Sequence, residues 1–209
     1  MNSPKKTKLI LILSALLVVA VAAFYAVRLF NDKKQNDQVV DEQVSEQTSV
    51  FESLAEIYPV PPVKITIKDR NISAPIIELG LTDDGFLDTP KKWSEAGWYR
   101  KSSKPSEKGN VIINAHFDDN LGRPAAFYQL KNVTVGDTVL LEDSLGRLHA
   151  YQVVDSFLVD INDPDRLKVL ESKEDKSELT LITCGGVWLQ GRSTYDKRLV
   201  VKAELIKSL

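Results

Sequence analysis

Residues 178–186 read ELTLITCGG, a stretch with the alternating, β-branched character of a strand that stops at a pair of glycines. Leucine or threonine at every second position favours an extended, pleated backbone. Because Gly185-Gly186 is a strong breaker, we expect the strand to end there and to leave Cys184 at a strand-to-loop junction. Side chains at such junctions meet solvent and ligands, so Cys184 is a candidate functional residue.

The composition is that of an ordinary globular chain with one core. Of the 209 residues, 43% are hydrophobic and 27% are charged. A net charge of −2 gives no basic surface of the kind that binds nucleic acid. No cofactor or metal is predicted, and the charged loop around Glu171, Glu174 and Asp175 is interpreted as solvated rather than as a calcium site.

The N-terminal segments predict a membrane anchor. Residues 9–30 begin with nineteen uncharged positions, 9–27, enough for a helix of about 28 Å, which matches the core of a bilayer. Lysines in the basic segment 1–8 favour a cytoplasmic N-terminus and place the rest of the chain outside. A cleaved signal peptide, with Ala-Val-Ala at 20–22 as its cleavage site, is the alternative. Both predict an exported domain.

Residues 31–59 are predicted to form a polar extracytoplasmic linker, with a short helix that begins at the capping box 49–52 and ends before Pro59. The folded domain is predicted to span 60–209. Export bears on Cys184, the only cysteine, because cysteines outside the cytoplasm tend to pair. A single leftover cysteine indicates a reactive thiol or an intermolecular disulfide, and a small buried hydrophobe is the third interpretation.

From residue 63 onwards the dominant period is two, and the helical segments are short. About eight short strands predict a closed or nearly closed β-barrel, or failing that a sandwich. Tryptophan and tyrosine at 93, 98 and 99 are expected to pack loops. Bounds can be given for seven of these strands, 63–68, 72–79, 111–117, 133–143, 148–160, 178–184 and 198–206, and short helices are predicted at 124–130 and 162–170.

A cysteine nucleophile needs a partner that takes and returns a proton, and histidine does both near neutral pH. His116 is predicted to end a strand, as Cys184 does, whereas His149 lies mid-strand and is interpreted as a surface residue. Acyl transfer also needs positive charge where the oxyanion forms. Arg198, at the start of the last predicted strand, is the stronger candidate, and Arg192 in the preceding loop is the weaker one.

The motif TLITC at 180–184 resembles the TLxTC signature of sortases, the membrane-anchored cysteine transpeptidases of Gram-positive surfaces. A histidine in Asn114-Ala115-His116 upstream and an arginine in the segment DKRLVV at 196–201 downstream fit the same family. The likeness spans about residues 60–206. Many sortases have glycine where Ala115 stands, and the segments Cys184-Gly185-Gly186 and Gly122-Arg123-Pro124-Ala125 look closest to classes E and F.

This resemblance implies an all-β, eight-stranded sortase barrel at 60–209 that follows a single-pass anchor. It implies that Cys184 attacks the threonine carbonyl of an LPxTG-like C-terminal sorting signal, and that His116 protonates the departing amine. The thioacyl enzyme would then pass the surface protein to an amine of a cell-wall precursor or a pilin. Arg198 would stabilise the oxyanion or hold the substrate backbone, and Thr183 would assist through its hydroxyl.

Two other classes stay open at the level of sequence. One is a different exported cysteine acyl-transfer enzyme, such as an L,D-transpeptidase, although residues 179–186 lack the histidine that its motif carries next to the cysteine. The other is a non-catalytic, membrane-tethered β-domain with a buried Cys184.

Overall fold

In a computed structural model, the structure describes residues 58–172 and 175–208, together with the single positions 28, 33 and 34. The predicted anchor, the cleavage-site alternative and the short linker helix lie outside the described residues. Among the residues that are described, no helix has the length and apolarity needed to cross a bilayer. All the strands lie within the compact unit Tyr58–Leu209.

The described residues form eight strands with short 3₁₀ helices between them. The strands are β1 (Pro62–Ile67), β2 (Ile72–Leu79), β3 (Ala96–Tyr99), β4 (Gly109–Ala115), β5 (Thr138–Asp143), β6 (Leu148–Asp160), β7 (Ser177–Leu189) and β8 (Thr194–Ser208). The 3₁₀ helices are Lys68–Arg70, Tyr128–Asn132, Arg166–Leu170 and Gln190–Arg192.

The strands close into a barrel in the order β1-β2-β3-β4-β7-β8-β6-β5, and β5 pairs back onto β1. The pairs β2–β3 and β4–β7 are parallel, and the others are antiparallel. The prediction of an eight-stranded barrel is confirmed, and the sandwich alternative is wrong. Because β4 and β7 run in the same direction and pair as far as Asn114 and Ile182, the segment that follows β4 continues towards the second half of β7.

The period-two pattern sets the two faces of each strand. On β7, Leu179 and Leu181 are fully buried in the core, and on β8 the core residues are Val201 and Ala203. Burying a leucine or valine side chain contributes about 1.5–3 kcal/mol, so these alternating positions fix the register. The alternate positions of β7, which include Cys184, belong to the outer face of the barrel.

The expected stop at Gly185-Gly186 is wrong. Strand β7 continues to Leu189, and its pairing with β8 shifts register between Gly185 and Trp188. Gly186 has φ of +81°, and a Cβ there would lie 2.0 Å from Asp196 Oδ1. The glycines therefore form a β-bulge. Glycine is favoured both in a bulge with positive φ and at the end of a strand, so the residue type alone does not distinguish the two. The long loop expected before Arg198 shrinks to residues 190–193.

Other boundaries differ from the prediction as well. Strand β3 was expected to be a loop, yet Trp98 on it is 2% exposed and belongs to the core. The two predicted short helices reduce to the 3₁₀ turns Tyr128–Asn132 and Arg166–Leu170. The strand expected at 111–117 ends at Ala115, and the one expected from 133 begins at Thr138.

His149 is a buried residue, so its interpretation as a surface position is wrong. It is 1% exposed, and its Nε2 lies 2.9 Å from Asp143 Oδ2. The Asp143 carboxylate also accepts hydrogen bonds from the Leu145 and Arg147 backbone N–H groups and from Arg147 Nε. These donors close the β5–β6 hairpin around one buried carboxylate.

Asp143 is expected to make stability depend on pH. Burial pushes the pKa of this carboxyl upwards, but its hydrogen bonds, led by the one from His149, hold the pKa below its usual range. The stabilisation is therefore complete above about pH 4, the usual aspartate pKa, and is lost as pH falls through the lowered value. We expect Asp143→Asn to cost about 1.5–3 kcal/mol of unfolding free energy at neutral pH.

Urea unfolding of wild type and Asp143→Asn between pH 7 and pH 3 checks this prediction. The difference in unfolding free energy between wild type and Asp143→Asn should shrink below about pH 4. The control variant Asp83→Asn, at an exposed aspartate, should have the unfolding free energy of wild type throughout. A difference that stays constant over this range would show that the Asp143 charge contributes nothing.

Candidate active site

Strand β7 lies between β4 and β8 and carries Cys184 just beyond the last residue paired with β4. Across β8, Cys184 lies directly opposite Arg198. Across β4, the last paired residues are Asn114 and Ile182. If this register continued for two more residues, His116, which follows the end of β4, would lie at the level of Cys184. We therefore expect the three residues singled out from the sequence to form one row across three neighbouring segments.

Thr183 joins the two segments that carry Cys184 and His116. Its side chain is 3% exposed, and Oγ1 donates a 2.8 Å hydrogen bond to the carbonyl of Ala115. Each partner immediately precedes one of the two candidate residues. The hydroxyl thus fixes β7 against the end of β4, which is a positioning contact.

We expect Thr183→Val to disturb the site more than the core. The substitution keeps the shape of the side chain but leaves the Ala115 carbonyl without its donor, at a cost of about 1–3 kcal/mol of unfolding free energy. Small displacements of reacting groups lower rates steeply, so the turnover of a reaction that uses both Cys184 and His116 should fall about tenfold. The variant Thr183→Ser retains the hydroxyl and should stay close to wild type in both urea unfolding and turnover. Equal turnover in the valine and serine variants would contradict this role.

His116 is oriented by a loop that the sequence did not connect with it. Its Nε2 lies 2.8 Å from the carbonyl oxygen of Pro90. Since a carbonyl only accepts, Nε2 carries the proton and Nδ1 is the basic atom of the neutral ring. The ring also packs edge to face on Trp93, with centroids 4.4 Å apart. Trp93 packs the loop that contains Pro90, as expected, and this loop contacts the ring of His116.

Cys184 is a half-buried free thiol. Burial raises the pKa of the Cys184 thiol, the guanidinium of Arg198 lowers it, and the carboxylate of Asp118 raises it again. The net pKa lies above its ordinary value, so the thiol form predominates at neutral pH. A nucleophilic thiolate here is a minority species that has to be generated by proton transfer within the site.

Arg198 is the fifth residue of β8, since that strand begins at Thr194 rather than at the arginine. Its guanidinium donates from Nη1 to the backbone carbonyls of Tyr195 and Lys197, at 3.2 and 3.0 Å, and from Nη2 to Thr194 Oγ1 at 3.2 Å. These contacts hold the group at the rim beside Cys184. Arg192 lies elsewhere, because its Nη1 donates to Asn162 Oδ1 at 3.2 Å.

Two residues near Cys184 were missed from the sequence. The phenol of Tyr195 donates a 2.5 Å hydrogen bond to Asp118 Oδ2. Burial and this bond raise the pKa of Tyr195 to about 12, so the phenol remains a donor at physiological pH. The pair is separated by 77 positions, and no local pattern in the sequence connects them.

The segment around Arg166–Leu170 covers part of the outer face of β4, β7 and β8. Lys202 Nζ donates to the Val169 carbonyl and, at 2.8 Å, to Thr180 Oγ1. Asn110 Nδ2 donates to the Leu170 carbonyl at 3.0 Å. These bonds hold the segment against the barrel at the level of Thr180 and Lys202, four residues along β7 and β8 from Cys184 and Arg198.

Within residues 58–172 and 175–208, no group of three or more His, Cys, Asp or Glu side chains is arranged to hold a metal ion. In the loop singled out from the sequence, Glu171 and Asp175 are exposed and Glu174 lies outside the described residues.

Comparisons with known proteins point to one family. A family model for the sortase domain matches residues 65–206. Sortase A from Listeria monocytogenes superposes with a TM-score of 0.54 at 21% identity, covering 72% of this chain and 90% of that one. Sortase C-1 from Actinomyces oris gives a TM-score of 0.54 at 23% identity, with 73% and 75% covered. The Clostridium perfringens sortase D5 transpeptidase gives 0.51 at 24% identity, with 77% and 89% covered. Among curated proteins, no sequence matches.

Proposed function

The chain belongs to the sortase family of cysteine transpeptidases, and from this premise we propose that it cleaves an LPxTG-like C-terminal sorting signal after threonine and transfers the fragment that ends in this threonine to an amine. The observation that carries the proposal is the pairing of Cys184 with Arg198 on β8, with β4, which His116 follows, on the other side of β7. Each of these three residues supplies one requirement of acyl transfer.

Acylation begins with the thiol of Cys184. As sulfur attacks the threonine carbonyl, its proton passes to Nδ1 of His116, the basic atom of that ring. The carbonyl oxygen becomes negatively charged, and the guanidinium of Arg198 stabilises it. The C–N bond then breaks, His116 gives the proton to the departing amine, and a thioester on Cys184 remains.

The second step repeats the first with a new amine. A neutral acceptor amine attacks the thioester carbonyl, and the proton it loses passes through His116 to the departing sulfur. The C–S bond breaks, a new amide forms and the Cys184 thiol is restored. The acceptor would be an amine of a cell-wall precursor or a pilin lysine. Thr183 holds the segments that carry the nucleophile and the acid together and does not itself react.

The domain order inferred from the sequence completes the proposal. Residues 1–8 are a cytoplasmic segment, 9–30 a single-pass anchor, 31–59 a linker and 60–209 the extracytoplasmic catalytic domain. The partners are surface proteins with a C-terminal sorting signal and the amine acceptor, with no cofactor. The class E or F assignment stays a prediction.

The test uses the full-length protein in detergent with a library of LPxTG-type peptides and an amine acceptor such as a short glycine peptide. We expect cleavage after threonine and an amide product that contains the acceptor. Without acceptor, slow hydrolysis should replace transfer. If the folded protein processes no peptide of the library, the proposed substrate class is wrong.

A further inference from the structure

One hydrogen bond joins the two sides of the candidate active site. Asp118 follows His116 by two residues, and Tyr195 precedes Arg198 by three. The 2.5 Å bond from the Tyr195 phenol to Asp118 Oδ2 therefore connects the loop after β4 with the beginning of β8. Cys184 lies on the strand between these two segments.

Tyr195 contacts both sides of the site. Its backbone carbonyl accepts a hydrogen bond from Arg198 Nη1 at 3.2 Å, while its phenol donates to Asp118. The ring packs edge to face against Phe117, with centroids 5.7 Å apart, and against Trp188, at 5.2 Å. These ring contacts leave the phenol little freedom to point elsewhere.

Asp118 also acts on the charge at Cys184. Its carboxylate raises the pKa of the thiol, in opposition to Arg198 on β8. Asp119, the neighbouring carboxylate, is paired instead with Arg123 at 2.7 Å. The titratable and charged groups on the segments that flank Cys184 are His116, Asp118 and Asp119 after β4, and Tyr195, Asp196, Lys197 and Arg198 on β8.

We propose that Asp118 and Tyr195 are positioning residues: their hydrogen bond fixes the His116 loop relative to Arg198, and the Asp118 carboxylate opposes the charge of Arg198 at the sulfur. The pair thereby holds Cys184 as a thiol until His116 takes its proton. The catalytic part of this inference rests on the proposed transpeptidation, whereas the effect on the thiol does not.

Two substitutions distinguish the effect of the Tyr195–Asp118 hydrogen bond from the effect of the Asp118 charge. Asp118→Asn removes the negative charge but keeps an oxygen that accepts from Tyr195. Tyr195→Phe removes the donor but keeps the carboxylate. The pH dependence of Cys184 alkylation by iodoacetamide reports the ionisation of the thiol without any peptide, and peptide turnover reports positioning.

We expect Asp118→Asn to lower the pH midpoint of alkylation, so that the rate at pH 7 rises about 3- to 10-fold, the result of a shift of about half to one pH unit. The midpoint should not fall in Tyr195→Phe, but its kcat should drop about tenfold with little change in KM. Asp119→Asn, the matched control, should resemble wild type in both measurements.

The inference is overturned if Asp118→Asn leaves the alkylation midpoint at the wild-type value, or if Tyr195→Phe turns over peptide at the wild-type rate. A lowered midpoint in Asp118→Asn, in an enzyme that processes no sorting peptide at all, would support the charge effect and reject the proposed function. Failure of the Asp118–Tyr195 inference can therefore be distinguished from failure of the proposed transpeptidation.

Discussion

Cys184→Ala is expected to abolish peptide cleavage and transfer, with a loss of about 10⁴-fold or more, as for other enzymes that lose their covalent nucleophile. The sulfur is the atom that forms the thioester, and no neighbouring group in the row can replace it. The fold should survive, because Cys184 is half-buried and stands outside the hydrophobic core cluster. Product formation with saturating peptide measures the loss, and thermal unfolding verifies the fold.

Cys184→Ser serves as a second variant, because it keeps the size and polarity of the side chain. Its hydroxyl is a far weaker nucleophile than a thiolate, so turnover should be lost here too. Wild-type turnover in either variant would mean that Cys184 is structural and that another group carries the chemistry.

His116→Gln should produce the second largest loss, about 10²- to 10⁴-fold in kcat, with a small change in KM. A glutamine amide can still donate to the Pro90 carbonyl, so the loop should keep its conformation. It cannot take the proton from sulfur or return it to the leaving amine, however. The measurement is a steady-state comparison of the variant and wild type with one sorting peptide.

His149 offers the matched control, since it is the only other histidine. It pairs with Ser208 on β8, ten residues beyond Arg198, which is about 33 Å along the strand. His149→Gln should therefore lower stability through the lost bond to Asp143 and leave turnover close to wild type below the unfolding temperature. Turnover of His116→Gln within about threefold of wild type would contradict an acid–base role on the scale expected for one.

The barrel and its inward-facing residues were predictable because apolar residues alternate with other residues within each strand, over only a few positions of the sequence. Leu179 and Leu181 are separated by one residue, and that period alone places them on the core side. The pairing of Cys184 with Arg198 was predictable only in part, because both residues lie inside longer strands than the sequence indicated. Which strands neighbour each other depends on topology, and the parallel pairing of β4 with β7 has no local signature.

Three features escaped for identifiable physical reasons. A glycine pair marks a strand end or a bulge, and only the partner strand decides between them, as at Gly186. His149 could be recognised as buried only once the hairpin register had brought Asp143 to it. The Asp118–Tyr195 bond spans 77 positions, a separation at which no pattern of spacing or periodicity applies.

The most direct test of the account is to trap the acyl enzyme. Full-length protein is incubated with LPxTG-type peptides without an amine acceptor, and its intact mass is measured before and after hydroxylamine. We expect a mass increase equal to the peptide fragment that ends in threonine, located on Cys184 by digestion, released by hydroxylamine and absent from Cys184→Ala. An adduct on another residue would contradict it. So would the absence of any adduct from a folded protein whose Cys184 also resists thiol reagents.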